Sequence, residues 1–183
     1  MTCIIGIKNK KNVLLAADSM ATDFYTQSIR TDLKIFALDS ILFGLAGSLR
    51  VRQAVEHTLV LPIFADSQTP DEYMFALIKN LSSAINENCA GTTKDARMYV
   101  DSSLVVGFIF PGFGPQIYAV YGDYQYERVN DDYLAIGSGG AVATGSLFST
   151  ARTSNIETRA LEALEAASKY AVGVGPPFYT LKL

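Results

Sequence analysis

Thr2, directly after Met1, has a hydroxyl group that is a candidate nucleophile. Methionine in front of a small residue is normally removed, and Thr2 would then carry a free α-amine. The unperturbed pKa of such an amine is about 8, so part of it is neutral at working pH. Because hydroxyl and amine would then belong to one residue, the sequence predicts an N-terminal threonine nucleophile that uses its own amine as the base.

Other kinds of catalytic site find little support. His57 is the single histidine, and no serine-centred nucleophile motif accompanies it. Cys3 and Cys89 form no CxxC pair, which argues against a zinc site and against a disulfide framework. The glycine-rich residues 137–140 fit an anion site at a helix N-terminus, but they lack the Gly-Lys-Ser/Thr of a P-loop. Residues 131–132 predict a turn, and we expect neither a metal nor a cofactor.

Charge and composition reduce the number of protein classes to which the chain could belong. The 183 residues carry 15 Lys and Arg against 18 Asp and Glu, a formal net charge of −3, which gives no basic footprint for nucleic acid. Hydrophobic residues make up 49%, enough to bury a large core. No signal peptide is visible, and the long uncharged stretches 102–122 and 133–151 are interrupted by Pro or Gly. We expect one cytoplasmic domain over residues 1–183, with no membrane span.

Strands are predicted in the first third of the chain and again after its middle. Residues 3–7 and 13–17 predict a hairpin buried on both faces, and residues 35–46 predict a second one. Further apolar runs predict strands at 104–110, 116–121, 134–137 and 178–183.

Helices are predicted between these groups of strands. One pattern covers residues 49–59, and another begins with Thr69 as N-cap, Pro70 at the first helical position and Glu72 closing a capping box. A second capping box, Ser154 to Glu157, precedes a third helix. Its apolar stripe consists of Ile156, Ala160, Leu164, Ala167 and Ala171. Segregated runs of strands and helices favour a layered α+β fold.

Taken in order, several segments resemble the proteasome β-type subunits. The Thr2 strand, the polar turn and the second strand ending in Ala-Ala-Asp18 match the family's opening. Lys34 stands where the family carries a lysine, and residues 41–47 resemble its strand ending in Ala-Gly. Residues 135–140 read Ala-Ile-Gly-Ser-Gly-Gly, as in the family, and 160–167 resemble its late helix. The resemblance covers essentially the whole chain and is closest to the HslV-like bacterial peptidases.

This resemblance implies a fold, an activity and partners. The fold would be a four-layer αββα sandwich of two antiparallel sheets, the N-terminal nucleophile hydrolase fold. The activity would be that of a threonine endopeptidase that cleaves unfolded polypeptides inside a homo-oligomeric ring. An AAA+ ATPase unfoldase would be a partner, and ATP would be its requirement rather than this chain's.

The resemblance also implies a role for each site residue. Thr2 would be the nucleophile, Lys34 would lower the pKa of its hydroxyl, and Asp18 would orient Lys34. The backbone N–H of Gly47 would face the oxyanion, with Gly44 as the alternative, and Ser138 would hydrogen-bond near the Thr2 amine. Singly, each residue also fits a structural role: a turn cap, a surface lysine or a strand-to-helix glycine.

Two departures from the family pattern leave alternatives open. Met20 stands where many of these subunits have an arginine, and the segment around Ser168 has no acid where they supply an aspartate and a serine. A catalytically silent ring subunit of the same fold is one alternative. The other is an N-terminal-threonine amidase that acts on a small molecule. If Met1 persists, the α-amine belongs to methionine and Thr2 is blocked.

Overall fold

The computed structural model describes residues 1–23, 25–65, 67–89 and 102–183. In these ranges the strands are β1 Ile4–Lys8, β2 Val13–Asp18, β3 Met20–Thr22, β4 Gln27–Ile29, β5 Ile35–Leu38, β6 Ile41–Gly47, β7 Ser102–Phe110, β8 Gly114–Val120, β9 Tyr126–Arg128, β10 Tyr133–Ile136 and β11 Phe178–Lys182. The helices are α1 Leu49–Thr58, α2 Pro70–Cys89, α3 Gly140–Ser149 and α4 Ile156–Tyr170.

The strands form two antiparallel sheets and a short ribbon. The smaller sheet has the order β10-β1-β2-β11, and the larger has the order β5-β6-β7-β8-β9. The third unit is the two-stranded ribbon of β3 and β4. Each strand pairing is antiparallel, and the β1–β2 register sets Ile4 opposite Ala17. Both predicted hairpins are confirmed.

The two sheets pack face to face because their strands are apolar on both sides. In β1, Ile4 faces the larger sheet, whereas Ile5 and Ile7 face the helices, as the alternation of a strand requires. The layer between the sheets consists of Ile4, Val13, Leu15, Ala17, Ile35, Leu42, Ala46, Val105 and Ile117.

Two glycines set how closely the sheets approach. A Cβ atom at Gly44 would lie 2.6 Å from Cγ2 of Ile4, and one at Gly6 would lie 2.8 Å from Cγ1 of Val105. Atoms that close must move apart, so any side chain at either position pushes the sheets apart. The apolar runs of β1 and β6 are interrupted by glycine for this reason.

Helices cover the outer faces of both sheets. Helices α1 and α2 bury Val55, Tyr73 and Leu77 against the larger sheet, where Phe108 and Tyr118 stack with ring centroids 5.7 Å apart. Helices α3 and α4 bury Leu147 and Leu164 against the smaller sheet. The predicted four-layer αββα sandwich is confirmed. Among the described residues, no helix combines the length and the apolar character that crossing a membrane requires.

The sequence does not predict three short strands: β3, β4 and β9. Each has three residues, and β4 is exposed along its whole length, so no apolar alternation marks it. They are strands because a neighbouring strand pairs with them. The ribbon of β3 and β4 forms one wall of the candidate site, through the residues of β3.

Of the two predicted capping boxes, one is confirmed and one is wrong. At α2 the Thr69 N–H donates to Glu72 Oε2 at 2.8 Å, and the Glu72 N–H donates back to Thr69 Oγ1 at 3.3 Å. At α4 the N-cap is Asn155 rather than Ser154, since the Asn155 side chain accepts from the backbone N–H groups of residues 157 and 158. The carboxylate of Glu157 accepts instead from Thr180 Oγ1, on β11.

Replacing Asn155 with alanine removes the N-cap of α4, and we expect the free energy of unfolding to fall by about 1 kcal/mol. Ser154→Ala is the matched control, since it shortens the neighbouring exposed polar side chain and breaks no cap. Denaturant titration of both variants at one protein concentration measures the difference. An equal or larger loss in Ser154→Ala would contradict the cap assigned here.

Candidate active site

Thr2 lies two residues before β1, which pairs with β2 on one side and with β10 on the other. Its backbone N–H donates to Ser138 Oγ at 3.1 Å, and its carbonyl accepts from the Gly139 N–H at 3.1 Å. The residue is 9% exposed. Its hydroxyl donates to the Met1 carbonyl at 2.6 Å, so the Met1 peptide group lies directly against the predicted nucleophile.

The turn after β10 supplies Ser138. Gly137 has a φ of +89°, and a Cβ atom there would run into the Thr2 carbonyl oxygen, so this turn requires glycine. The chain then enters α3 at Gly140, as the Gly-Ser-Gly-Gly pattern predicts. The same turn therefore brings Ser138 to the Thr2 nitrogen and opens a helix.

Asp18 ends β2, and the β1–β2 register sets it beside Cys3. Its Oδ1 accepts from the Cys3 N–H at 2.9 Å, and its Oδ2 accepts from the N–H groups of Met20 at 3.2 Å and Gly175 at 3.3 Å. The side chain is fully buried. Three backbone N–H donors thus satisfy this buried carboxylate.

Lys34 precedes β5 of the larger sheet and reaches across to this carboxylate. Its Nζ donates to Asp18 Oδ1 at 2.8 Å, to the Met20 carbonyl at 2.7 Å and to the Met1 carbonyl at 3.1 Å. Three acceptors match the three N–H bonds of an ammonium group. Burial lowers the pKa of Lys34 from its ordinary value, and the hydrogen bond and charge of Asp18 counteract part of that effect.

Gly47 lies at the end of β6, on the wall of a cavity of about 410 Å³ that Thr2 and Ser138 also line. Its φ of +134° is one that residues with a side chain rarely adopt. Gly44, the alternative for the oxyanion position, is buried between the two sheets and does not line this cavity. Of the two glycines, the structure brings only Gly47 to the site.

The five predicted site residues therefore come together from five separate segments of chain. Thr2, Asp18, Lys34 and Ser138 form one hydrogen-bonded group, because Asp18 holds the residue next to Thr2. Gly47 faces them across the cavity.

The sequence did not predict several contacts of this site. The Met20 carbonyl accepts from Lys34, and the Gly175 N–H donates to Asp18, so the C-terminal segment that departs from the family pattern closes over the carboxylate. Both are main-chain contacts, which leave no mark in residue types. Arg30 is the one charged residue among those described on the cavity wall, and its guanidinium pairs with Asp32.

Other candidate nucleophiles and ligands lie apart from this chemistry. Cys3 packs into the helix-facing core, and burial raises the pKa of its thiol to about 12, so it is not a thiolate at neutral pH. The His57 side chain is exposed on α1, and Ser168 is half-buried on α4. Over the described ranges, no cluster of three or more His, Cys, Asp or Glu could hold a metal ion.

Solved structures with the same fold are known at low sequence identity. Thiobacillus denitrificans BPH has a TM-score of 0.80 at 14% identity, and the match covers 99% of this chain and 97% of that one. The same protein is also solved in complex with epoxomicin. Eukaryotic HslV from Trypanosoma brucei has a TM-score of 0.70 at 17% identity, with coverage of 99% and 98%.

The Anbu complex from Pseudomonas aeruginosa, solved as a helical assembly, has a TM-score of 0.69 at 17% identity, with coverage of 99% of this chain and 80% of that one. Identities this low show a common fold and nothing finer. Among curated proteins, no sequence matches the chain significantly. The sequence profile of the proteasome subunit family, in contrast, matches residues 1–172. The chain therefore belongs to the proteasome subunit family.

Proposed function

We propose that the chain is a threonine endopeptidase subunit of a self-compartmentalising, HslV-like protease, with Thr2 as the nucleophile after removal of Met1. One observation carries the proposal: the Thr2 hydroxyl and the Lys34 ammonium share the Met1 carbonyl oxygen as acceptor, at 2.6 and 3.1 Å. Once Met1 is removed, the same hydroxyl and ammonium face each other beside a new α-amine.

The chemistry needs no group beyond those at the site. The neutral α-amine of Thr2 takes the hydroxyl proton as Oγ1 attacks the substrate carbonyl carbon, which forms a C–O bond. The C–N bond then breaks, and the leaving nitrogen takes the proton back from the α-ammonium. Water repeats the sequence on the resulting ester, which releases the acyl product and restores Thr2.

Lys34 and Asp18 are the positioning pair in this scheme. A positive charge beside Oγ1 stabilises the developing alkoxide, and the site around Lys34 is nearly free of solvent, which strengthens the interaction. Asp18 fixes the ammonium and holds the N–H of Cys3, so it also fixes the residue that follows the nucleophile.

The oxyanion would be stabilised from the opposite wall. Gly47 lies there with no side chain in the way, so a substrate carbonyl has room to approach its backbone N–H. Ser138 would donate to or accept from the freed α-amine, as it already contacts the Thr2 nitrogen at 3.1 Å. That contact would keep the amine within reach of Oγ1.

Met1 blocks the site as long as it is present. Its carbonyl accepts from both Thr2 and Lys34, and its peptide bond turns the Thr2 amine into an amide, which cannot take up the hydroxyl proton. The form that carries Met1 is thus the inactive form of the proposed enzyme.

A homo-oligomer in the cytoplasm is the proposed setting. The helical assembly of the Anbu complex supports association between copies of this fold. Large apolar side chains such as Phe75, Phe148 and Ile63 are well exposed on the described surface and would be covered by further copies. Polypeptides fed by an AAA+ ATPase are the proposed substrates, with no cofactor on this chain.

A catalytically silent ring subunit is the second candidate, favoured by the lack of an acidic residue around Ser168, at the end of α4. In this chain the Gly175 N–H of the following segment donates to Asp18, and Met20 packs against Gly175. If the acid is indispensable, the chain would have the fold and the assembly without turnover.

Thr2→Ala should abolish peptide hydrolysis, a fall of about a thousandfold or more in kcat, while it leaves assembly intact. Thr2→Ser is the matched control: it keeps a hydroxyl and an amine and should retain measurable activity. Hydrolysis of a fluorogenic peptide and elution volume on size exclusion measure the two properties. Retained activity in Thr2→Ala would overturn the mechanism.

Intact mass before and after an epoxyketone or a β-lactone distinguishes the two candidates. The peptidase should lack Met1 and gain one inhibitor equivalent, and Thr2→Ala should gain none. A chain that lacks Met1, assembles and gains no inhibitor would instead support the silent subunit.

The alkaline side of the pH–rate profile should report Lys34. Its charged form is the working form, so activity is lost as pH rises through a pKa that burial has lowered from 10.5. Asp18→Asn removes the charge that counteracts burial, so we expect the alkaline loss at still lower pH, with reduced kcat. Circular dichroism at each pH controls for unfolding. If the activity of Asp18→Asn is lost at the same alkaline pH as that of the unaltered chain, the proposed role of this pair is contradicted.

A further inference from the structure

A second cavity lies beside the catalytic one, and Met1 separates them. The outer cavity measures about 490 Å³, and both cavities have Met1 and Thr22 on their walls. The other residues on the outer wall are Asp23, Tyr25, Thr26, Gln27 and Val172. Because Met1 is a wall of both cavities, we expect its removal to join them into one groove beside Thr2.

The Met1 side chain shows what kind of group fits the space that removal of Met1 would add to the outer cavity. It packs against Gly173, where a Cβ atom would lie 2.8 Å from both Cβ and Sδ of Met1. Glycine at 173, with a φ of +75°, thus leaves room for an apolar side chain between the C-terminal segment and the ribbon of β3 and β4. Val172, next to it, is 75% exposed and adds apolar wall.

The proposed chemistry decides which part of a substrate enters this space. The leaving nitrogen must take its proton from the Thr2 amine, so it has to lie beside that amine. The Thr2 nitrogen is the atom to which Met1 is bonded, so the leaving nitrogen lies on the side that Met1 occupies. The acyl oxygen points the other way, towards Gly47 in the catalytic cavity.

We propose that the outer cavity, opened by removal of Met1, binds the side chain of the substrate residue just after the scissile bond and prefers an apolar one such as methionine or leucine. This subsite rests on the proposed peptidase function. Asp23 on its wall accepts from the N–H groups of Tyr25 and Thr26, each at 2.9 Å, which keeps its carboxylate charged. An acidic substrate residue is therefore repelled.

Internally quenched peptides that differ only at the residue after the scissile bond test this subsite. The chain is used after intact mass has shown that Met1 is absent, and mass spectrometry of the products identifies the bond cleaved. We expect kcat/KM to be about tenfold higher with methionine or leucine than with serine, and lowest with aspartate. Equal values for methionine and serine would overturn the proposal.

Variants of Val172 locate the preference. Val172→Asp should bring the methionine-to-serine ratio close to one and should favour a lysine peptide, because it adds a charge beside Asp23. Val172→Ser, a milder change at this exposed position, should lower the ratio part of the way. Val60→Ser removes a comparably exposed apolar side chain outside the cavity and should keep the ratio of the unaltered chain.

The outcomes separate this subsite from the function it rests on. Cleavage of the peptides with a ratio that Val172→Asp leaves unchanged would overturn the subsite alone. Cleavage of none of them, together with no inhibitor adduct on Thr2, would overturn the peptidase function and the subsite with it.

Discussion

The buried ion pair between Asp18 and Lys34 links the two halves of the sandwich at the site. Asp18 belongs to the smaller sheet and Lys34 enters the larger one, and their side chains meet at 2.8 Å with almost no exposure. Taking such charges out of water costs several kcal/mol for each ion. The pair offsets that cost through five further hydrogen bonds, three to the Asp18 carboxylate and two from Lys34.

This pair tolerates little movement of the sheets. Removing one partner of a buried pair costs about 3–5 kcal/mol, because the other charge is then left uncompensated. The glycines at the centre of the sandwich, Gly6 and Gly44, let the sheets approach closely, and Lys34 reaches Asp18 from the other sheet. A shift of either sheet would move Lys34 relative to Asp18 and Thr2. The packing of the core therefore also determines the geometry of the site.

Much of this fold could be predicted from the sequence because its strands are buried on both faces. Strand β2 is a continuous apolar run that ends at Asp18, β6 is apolar except for its glycines, and the capping box of α2 consists of side chains. The start of α4 was predicted one residue too early, because Ser154 and Asn155 are both good N-caps. Which of them serves depends on Glu157, whose carboxylate is engaged by Thr180 of β11, a partner remote in sequence.

The candidate site likewise has one part that the sequence predicts and one part that only the structure shows. Thr2, Asp18, Lys34, Gly47 and Ser138 are recognisable because a particular side chain, or the lack of one, matters at each position. The Met20 carbonyl and the Gly175 N–H are main-chain groups, and all residue types except proline have both kinds. Only the folded chain therefore reveals that Lys34 and Asp18 depend on them.

In the proposed enzyme, Met1 both blocks the nucleophile and occupies space that a substrate side chain would take. Its carbonyl occupies the two donors that the proposed reaction needs, Thr2 Oγ1 and Lys34 Nζ, while its side chain fills the space beside Gly173. Loss of Met1 takes this acceptor from the Thr2 hydroxyl, removes one of the three acceptors of Lys34 and opens the space beside Gly173. In the proposed reaction the Lys34 ammonium then faces Thr2 Oγ1, the substrate carbonyl points towards Gly47, and a substrate side chain takes the space beside Gly173. The blocking residue thus occupies the space in which the proposed reaction takes place.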